Sequence, residues 1–203
     1  MPHVSTGEIF RQEMVRKSAL GRRVQRFVTS GRLVPDQLVV QVMAKRLSDA
    51  CCQRGFVLDG FPRTVGQARG LDAVIKKAGQ PLDGAVYLEA PRALLVRRLS
   101  GRRVCSRCGA NYHLRTMRPK QPGRCDRCGG ALITRNDDLP STILRRLAID
   151  QAKAAPLLRY YQRQELLHRI DGRGSIERVF VRAIVLCRRQ GWLAQAGSLS
   201  STA

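Results

Sequence analysis

Four cysteines, Cys105, Cys108, Cys125 and Cys128, stand at C-x2-C-x16-C-x2-C spacing. Each C-x2-C pair sets two thiolates on one tight turn, and glycines follow closely (Gly109, Gly129 and Gly130) to supply the positive φ that such knuckles need. Four thiolates around one ion close a tetrahedral site, so this set points to Zn2+ held for structure and not for catalysis. The stretch from Gly101 to Asp138 is rich in Cys, Gly, Pro, Arg and Asn and poor in large apolar residues. Such a lobe depends on a metal staple for its stability. Cys51, Cys52 and Cys187 are scattered and read as free thiols, in the core or partly exposed. The knuckles alone do not fix a function, because zinc ribbons in nucleic-acid binders carry the same pattern.

The elements around this lobe follow from hydrophobic period and punctuation. Ile9, Phe10, Met14 and Val15 fall at helical spacing and predict a helix over 6–17, with Thr6 as its N-cap and Glu8 in the first turn. Further helices are predicted over 20–28, 35–50, 64–78, 91–99, 141–166 and 176–188, with Gly31 and Pro35 breaking the chain between the second and third. The short apolar runs 55–59 and 84–89 read as buried strands, and 167–170 as another. Helices alternating with strands predict an α/β fold with a parallel sheet.

The formal net charge is +22 across 203 residues, and arginine dominates it. A basic chain suits polyanionic partners, nucleotides or nucleic acid. Nucleic acid is the disfavoured one: no compact run of five or more basic residues occurs, and Tyr112 is the one aromatic ring available for base stacking between Gly101 and Asp138. No apolar run approaches the ~18 residues of a membrane span, so no membrane partner is expected. The first eleven residues lack the apolar centre of a secretion signal. The expected location is the cytoplasm, where thiols stay reduced.

The heptapeptide Leu58-Asp59-Gly60-Phe61-Pro62-Arg63-Thr64, taken with Ser5-Thr6-Gly7 and the paired knuckles, resembles the adenylate kinases that carry a zinc-bearing lid, a branch of the nucleoside-monophosphate kinases. The resemblance runs from Pro2 to about Arg188. It implies a three-layer, P-loop kinase-like parallel sheet flanked by helices. It further implies a core over 1–101 with a helical AMP-binding insert at about 5–34, a zinc lid over 102–138, the rest of the core over 139–193, and a tail over 194–203. The implied reaction is reversible transfer of the ATP γ-phosphoryl group to AMP, giving two ADP, by a cytoplasmic monomer that uses Mg2+ with ATP.

The same resemblance assigns residues. On the AMP side stand Thr6, Arg11, Arg32, Leu33, Val34, Gly60, Phe61, Pro62, Arg63 and Gln67, the last able to pair with an adenine edge. Gly101-Arg102-Arg103-Val104 resembles the start of the lid, and Thr134-Arg135-Asn136-Asp137-Asp138 its end. Arg98, Arg102, Arg135 and Arg146 then converge on the phosphates as the lid closes, with Arg135 and Arg146 also reaching AMP. Asp137 and Asp138 orient these arginines. Asn111, Tyr112 and Gly174 join Arg98 and Arg102 on the ATP side, and Asp59 orders the waters of Mg2+. Arginine suits such work because it is always charged and donates in a planar fork.

One part of the family pattern does not occur. No G-x-x-x-x-G-K-[ST] sequence stands anywhere in the chain, whereas the family places one, with its strand and helix, in the first ~25 residues. The expectation is that the true start lies upstream of Met1. A second expectation is that, without the central strand, the strands near Val57 and Val86 keep unpaired edges and the chain made alone is poorly soluble.

Overall fold

The computed structural model describes residues 1–193, and the tail expected over 194–203 lies outside them. A short strand that the sequence reading missed, β1 (His3–Ser5), leads straight into α1 (Thr6–Val15). Ser5, not Thr6, is the N-cap. Thr6 is drawn away because its hydroxyl donates across the molecule to the Gly60 carbonyl at 3.2 Å. Next come α2 (Ala19–Ser30) and α3 (Asp36–Leu47). The Ser18 hydroxyl caps α2 by accepting the Gly21 N–H, and Gly31 ends it in the left-handed conformation at φ 68°. The helix expected over 35–50 stops at Leu47, and Ala50–Cys52 form a separate 3-10 turn after an extended Asp49.

The chain then alternates β2 (Val57–Asp59), α4 (Val65–Lys77), β3 (Ala85–Glu89) and α5 (Arg92–Ser100). It returns through the long α6 (Pro140–Gln162), β7 (Leu167–Asp171) and α7 (Ile176–Arg189). Between α5 and α6 a small antiparallel sheet is inserted, with β4 (Arg102–Cys105) flanked by β5 (Asn111–His113) and β6 (Leu132–Ile133). The α/β class and the parallel pairing agree with the sequence expectation.

The parallel strands form two separate pairs among the described residues. β1 pairs with β2, Val4 opposite Leu58, and β3 pairs with β7, Val86 opposite His168. Strands β2 and β3 were expected to be buried. Val57, Val86 and Leu88 are instead 48%, 45% and 54% exposed, and each strand is paired along one edge alone.

The main core sits on the β1–β2 side, where Val4, Phe10, Val24, Met43 and Leu71 pack between α1, α2, α3 and α4. Its tightest joint is the crossing of α1 and α2. A Cβ at Gly21 would lie 2.1 Å from the Glu13 carbonyl oxygen, a backbone atom with nowhere to go. Gly21→Ala is therefore expected to destabilise the chain by about 3 kcal/mol, as overpacking does. Helix propensity alone predicts a gain of about 0.8–1 kcal/mol for the same change, so the sign of a thermal or urea unfolding measurement separates the two effects.

Candidate active site and metal centre

A cleft of about 640 Å3 opens where α1, the turn after α2, the loop after β2 and helix α6 meet. It brings together nine of the residues assigned from sequence: Thr6, Arg11, Arg32, Leu33, Val34, Gly60, Arg63, Gln67 and Arg146. Phe10, Val28 and Val39 give it one apolar wall. Gly60 allows the close approach, since its φ is 69° and a Cβ there would meet the Arg63 guanidinium at 2.9 Å.

Each polar side chain at the bottom of the cleft is held by a partner. The Arg63 Nε donates to the Gly60 carbonyl at 2.8 Å, and an Arg63 terminal nitrogen lies 3.6 Å from Asp150. Gln67 is buried, its Oε1 accepting the Arg63 backbone N–H at 2.8 Å and its Nε2 donating to Asp36 at 2.9 Å. The same Asp36 carboxylate accepts the Thr64 hydroxyl at 2.7 Å. The Gln67 amide keeps one lone pair and one N–H for a ligand. Asp36 and Asp150 were not among the residues picked from sequence. Asp150 carried a signal, standing one helical turn after Arg146 on the same face of α6.

Four guanidiniums gather around two buried carboxylates beside this cleft. Arg102 grips Asp138 with two hydrogen bonds of 2.7 and 2.5 Å. Arg146 lies 3.3 Å from Asp137 and 3.8 Å from Asp138, and Arg11 lies 3.6 Å from Asp137. Arg135 reaches Asn111 Oδ1 at 2.9 Å. Burial first, then repulsion from Arg11 and Arg102, lowers the Arg135 guanidinium to about 10, which leaves it charged at neutral pH. Burial is also the main cause that lowers Arg11, with Asp137 opposing it. Four cations against two anions leave positive charge in excess, the electrostatic signature of an anion seat.

Several assigned residues stand outside the cleft lining. Arg98 donates to the Gly174 carbonyl at 2.8 Å, so those two are together but apart from the AMP-side group. Asp59 is exposed at the end of β2, 3.5 Å from His3 Nε2. Phe61 is buried in the main core. Tyr112 is buried in the inserted lobe, where its hydroxyl accepts the Asp126 N–H at 2.7 Å and lies 3.4 Å from Cys125 Sγ.

The four knuckle cysteines converge. Their Sγ atoms all lie within 4.8 Å of one another, with Cys105–Cys128 and Cys108–Cys125 at 3.5 Å. Tetrahedral thiolates at the ~2.3 Å zinc–sulfur distance stand ~3.8 Å apart, so the set fits such an ion. Hydrogen bonding from the Tyr112 hydroxyl, the leading cause, helps bring the Cys125 thiol down to about 6, against burial. Gly109 and Gly129 have positive φ as expected, while Gly130 does not. Gly130 is needed for space instead, since a Cβ there would lie 2.9 Å from Cys105 Sγ.

A sequence profile described as adenylate kinase matches residues 1–166. The adenylate kinase of Fervidobacterium nodosum is 46% identical over 179 residues, which cover 88% of this chain and 82% of the relative. That of Moorella thermoacetica is 44% identical over 181 residues, covering 89% and 83%. That of Thermosipho melanesiensis is 41% identical over 189 residues, covering 93% and 88%. The chain belongs to the adenylate kinase family.

Adenylate kinases are phosphotransferases that take ATP, AMP and ADP as substrates, and the cationic cleft of this family member suits such anions. The profile match includes the inserted lobe and its four cysteines as well as the cleft. Among the described residues, no helix of this adenylate kinase chain is long and apolar enough to cross a membrane.

Proposed function

We propose that the cleft is the AMP seat of a kinase that moves the γ-phosphoryl group of Mg2+-bound ATP to AMP, giving two ADP and balancing the adenine nucleotides. The observation that carries this is the meeting of Arg11, Arg63 and Arg146 with the buried amide of Gln67 in one cleft. The adenine lies against the backbone of Arg32, Leu33 and Val34, beside Thr6. Its edge uses the free lone pair and N–H of Gln67, and the phosphate lies among the three arginines.

An AMP phosphate oxygen then attacks the γ-phosphorus in line, and the bond from that phosphorus to the β–γ bridging oxygen breaks. ADP leaves as the second ADP forms. No general base is required, because the nucleophile is already an anion. Arg98, Arg102, Arg135 and Arg146 spread the transferring charge, which is the main demand of this chemistry. Mg2+, when bound with ATP, neutralises charge on the bridging phosphates, and Asp59 is the residue assigned to order its waters. Zn2+ held by Cys105, Cys108, Cys125 and Cys128 keeps the lid folded so that it excludes water over the reacting groups.

An AMP-binding relative without turnover is the alternative reading of the same cleft. Calorimetric titration with AMP, followed by an ADP-formation assay with ATP and AMP, separates the readings. Arg63→Ala is expected to weaken AMP binding about 10- to 100-fold, the worth of a charge-assisted hydrogen bond, and to leave adenosine binding unchanged. Equal loss for both ligands would mean that Arg63 shapes the loop and does not meet the phosphate.

A further inference from the structure

The Gln67 amide offers a ligand one acceptor and one donor, and its neighbours fix which end is which. The Arg63 backbone N–H, 2.8 Å from Oε1, can only donate, and the Asp36 carboxylate, 2.9 Å from Nε2, can only accept. Turning the amide over would set donor against donor at Arg63 and acceptor against acceptor at Asp36. Gln67 is 2% exposed, so water does not repair either mismatch. Asp36 is itself held in place. Its Oδ2 accepts the Thr64 hydroxyl at 2.7 Å, and the Thr64 oxygen accepts the Gln67 backbone N–H at 3.0 Å. The same Oδ2 packs against Gly66, where a Cβ would lie 2.5 Å from it. Gly66 stands inside α4 without a positive φ, so what its missing side chain provides is room for that carboxylate.

We infer that Asp36 is a specificity-determining positioning residue, holding the Gln67 amide in the one orientation that pairs with a 6-amino purine and rejects a 6-oxo purine. The inference rests on the AMP seat proposed above and names what makes that seat selective. A 6-amino purine such as adenine carries a donor at N6 beside an acceptor at N1. A 6-oxo purine such as hypoxanthine reverses them, with an acceptor at O6 beside a donor at N1. In the same pose it meets the locked amide with acceptor facing acceptor and donor facing donor. The flip that would relieve this is opposed at both ends, by Arg63 and by Asp36. Asp36 is not part of the cleft lining, so it acts through Gln67 and not on the nucleotide.

The test compares AMP with inosine monophosphate by calorimetric titration of the zinc-loaded chain and two variants. The unaltered chain is expected to prefer AMP by roughly 100-fold, since each of the two hydrogen-bond mismatches is worth about ten-fold. Asp36→Ala removes one of the two locks, and the preference should fall about ten-fold. Gly66→Ala displaces the carboxylate but keeps its charge, and helix propensity favours the change, so the chain stays folded. Its preference should fall in the same direction, and it decides the matter if Asp36→Ala does not fold. A structural role alone would weaken both nucleotides in equal proportion and leave their ratio unchanged, which would overturn the inference. So would an unaltered chain that binds the two nucleotides equally well, with the AMP seat left standing. Binding of neither nucleotide by the unaltered chain would instead defeat the AMP seat, and the inference with it.

Discussion

Cys125→Ser is expected to reduce bound zinc from one ion per chain to a small fraction and to unfold residues 102–133, with the helical core left standing. Structural zinc binding contributes about 10–16 kcal/mol in small metal-organised domains. Little else holds this lobe: its buried residues are Cys105, Ala110, Tyr112 and Cys125, so half of its core is the ligand set itself. The main core forms a separate cluster around Val4, Phe10, Val24, Met43 and Leu71 and shares no residue with it. Metal analysis with hydrogen exchange over 102–133 checks this. Slow exchange there in the variant, or in the wild-type chain after a strong chelator, would show that the lobe folds without its ion. Tyr112→Phe offers a graded version, because it removes the hydroxyl beside Cys125 and leaves the Asp126 N–H without its acceptor.

Asp138→Ala is expected to destabilise the core by about 3 kcal/mol, the lower end of the loss on breaking a buried ion pair. Asp138 is 1% exposed and holds Arg102 with both carboxylate oxygens. Without it, Arg11, Arg102, Arg135 and Arg146 face one carboxylate where there were two. The lower end applies because the Arg102 side chain is 27% exposed and can turn towards water. For a domain of this size the loss corresponds to a fall in Tm of roughly 6–12 °C. AMP, seated on Arg11, Arg63 and Arg146, should still bind, since the change adds to the positive field. A Tm within 2 °C of wild type would mean that Asp138 does not organise the arginines.

Local signals made most of this molecule readable. The run Asp59-Gly60-Phe61-Pro62-Arg63 declared a loop after a strand because glycine and proline constrain the backbone wherever they stand, and the cysteines declared a metal turn by spacing alone. What stayed hidden depends on partners distant in sequence. Thr6 looks like a cap until Gly60, 54 residues away, takes its hydroxyl. Asp36 looks like an ordinary first-turn acid, yet its carboxylate positions Thr64 and Gln67. Strand β1 spans three residues, too few to show a period, and exists because β2 pairs with it. Val57, Val86 and Leu88 read as core by composition, whereas exposure depends on which distant elements pack over a strand's faces. Gly21 gave no sign of its role, because a collision with the Glu13 carbonyl arises only when α1 and α2 cross.

The most direct test of the AMP seat is an amide NMR titration of the zinc-loaded chain with AMP and, separately, adenosine. Saturable shifts are expected at Gly7, Gly31, Val34, Gly60 and Arg63, with little change over 102–133 and adenosine binding at least ten-fold weaker because it lacks the phosphate. Equal affinity for the two ligands, or shifts confined to 102–133, would contradict it.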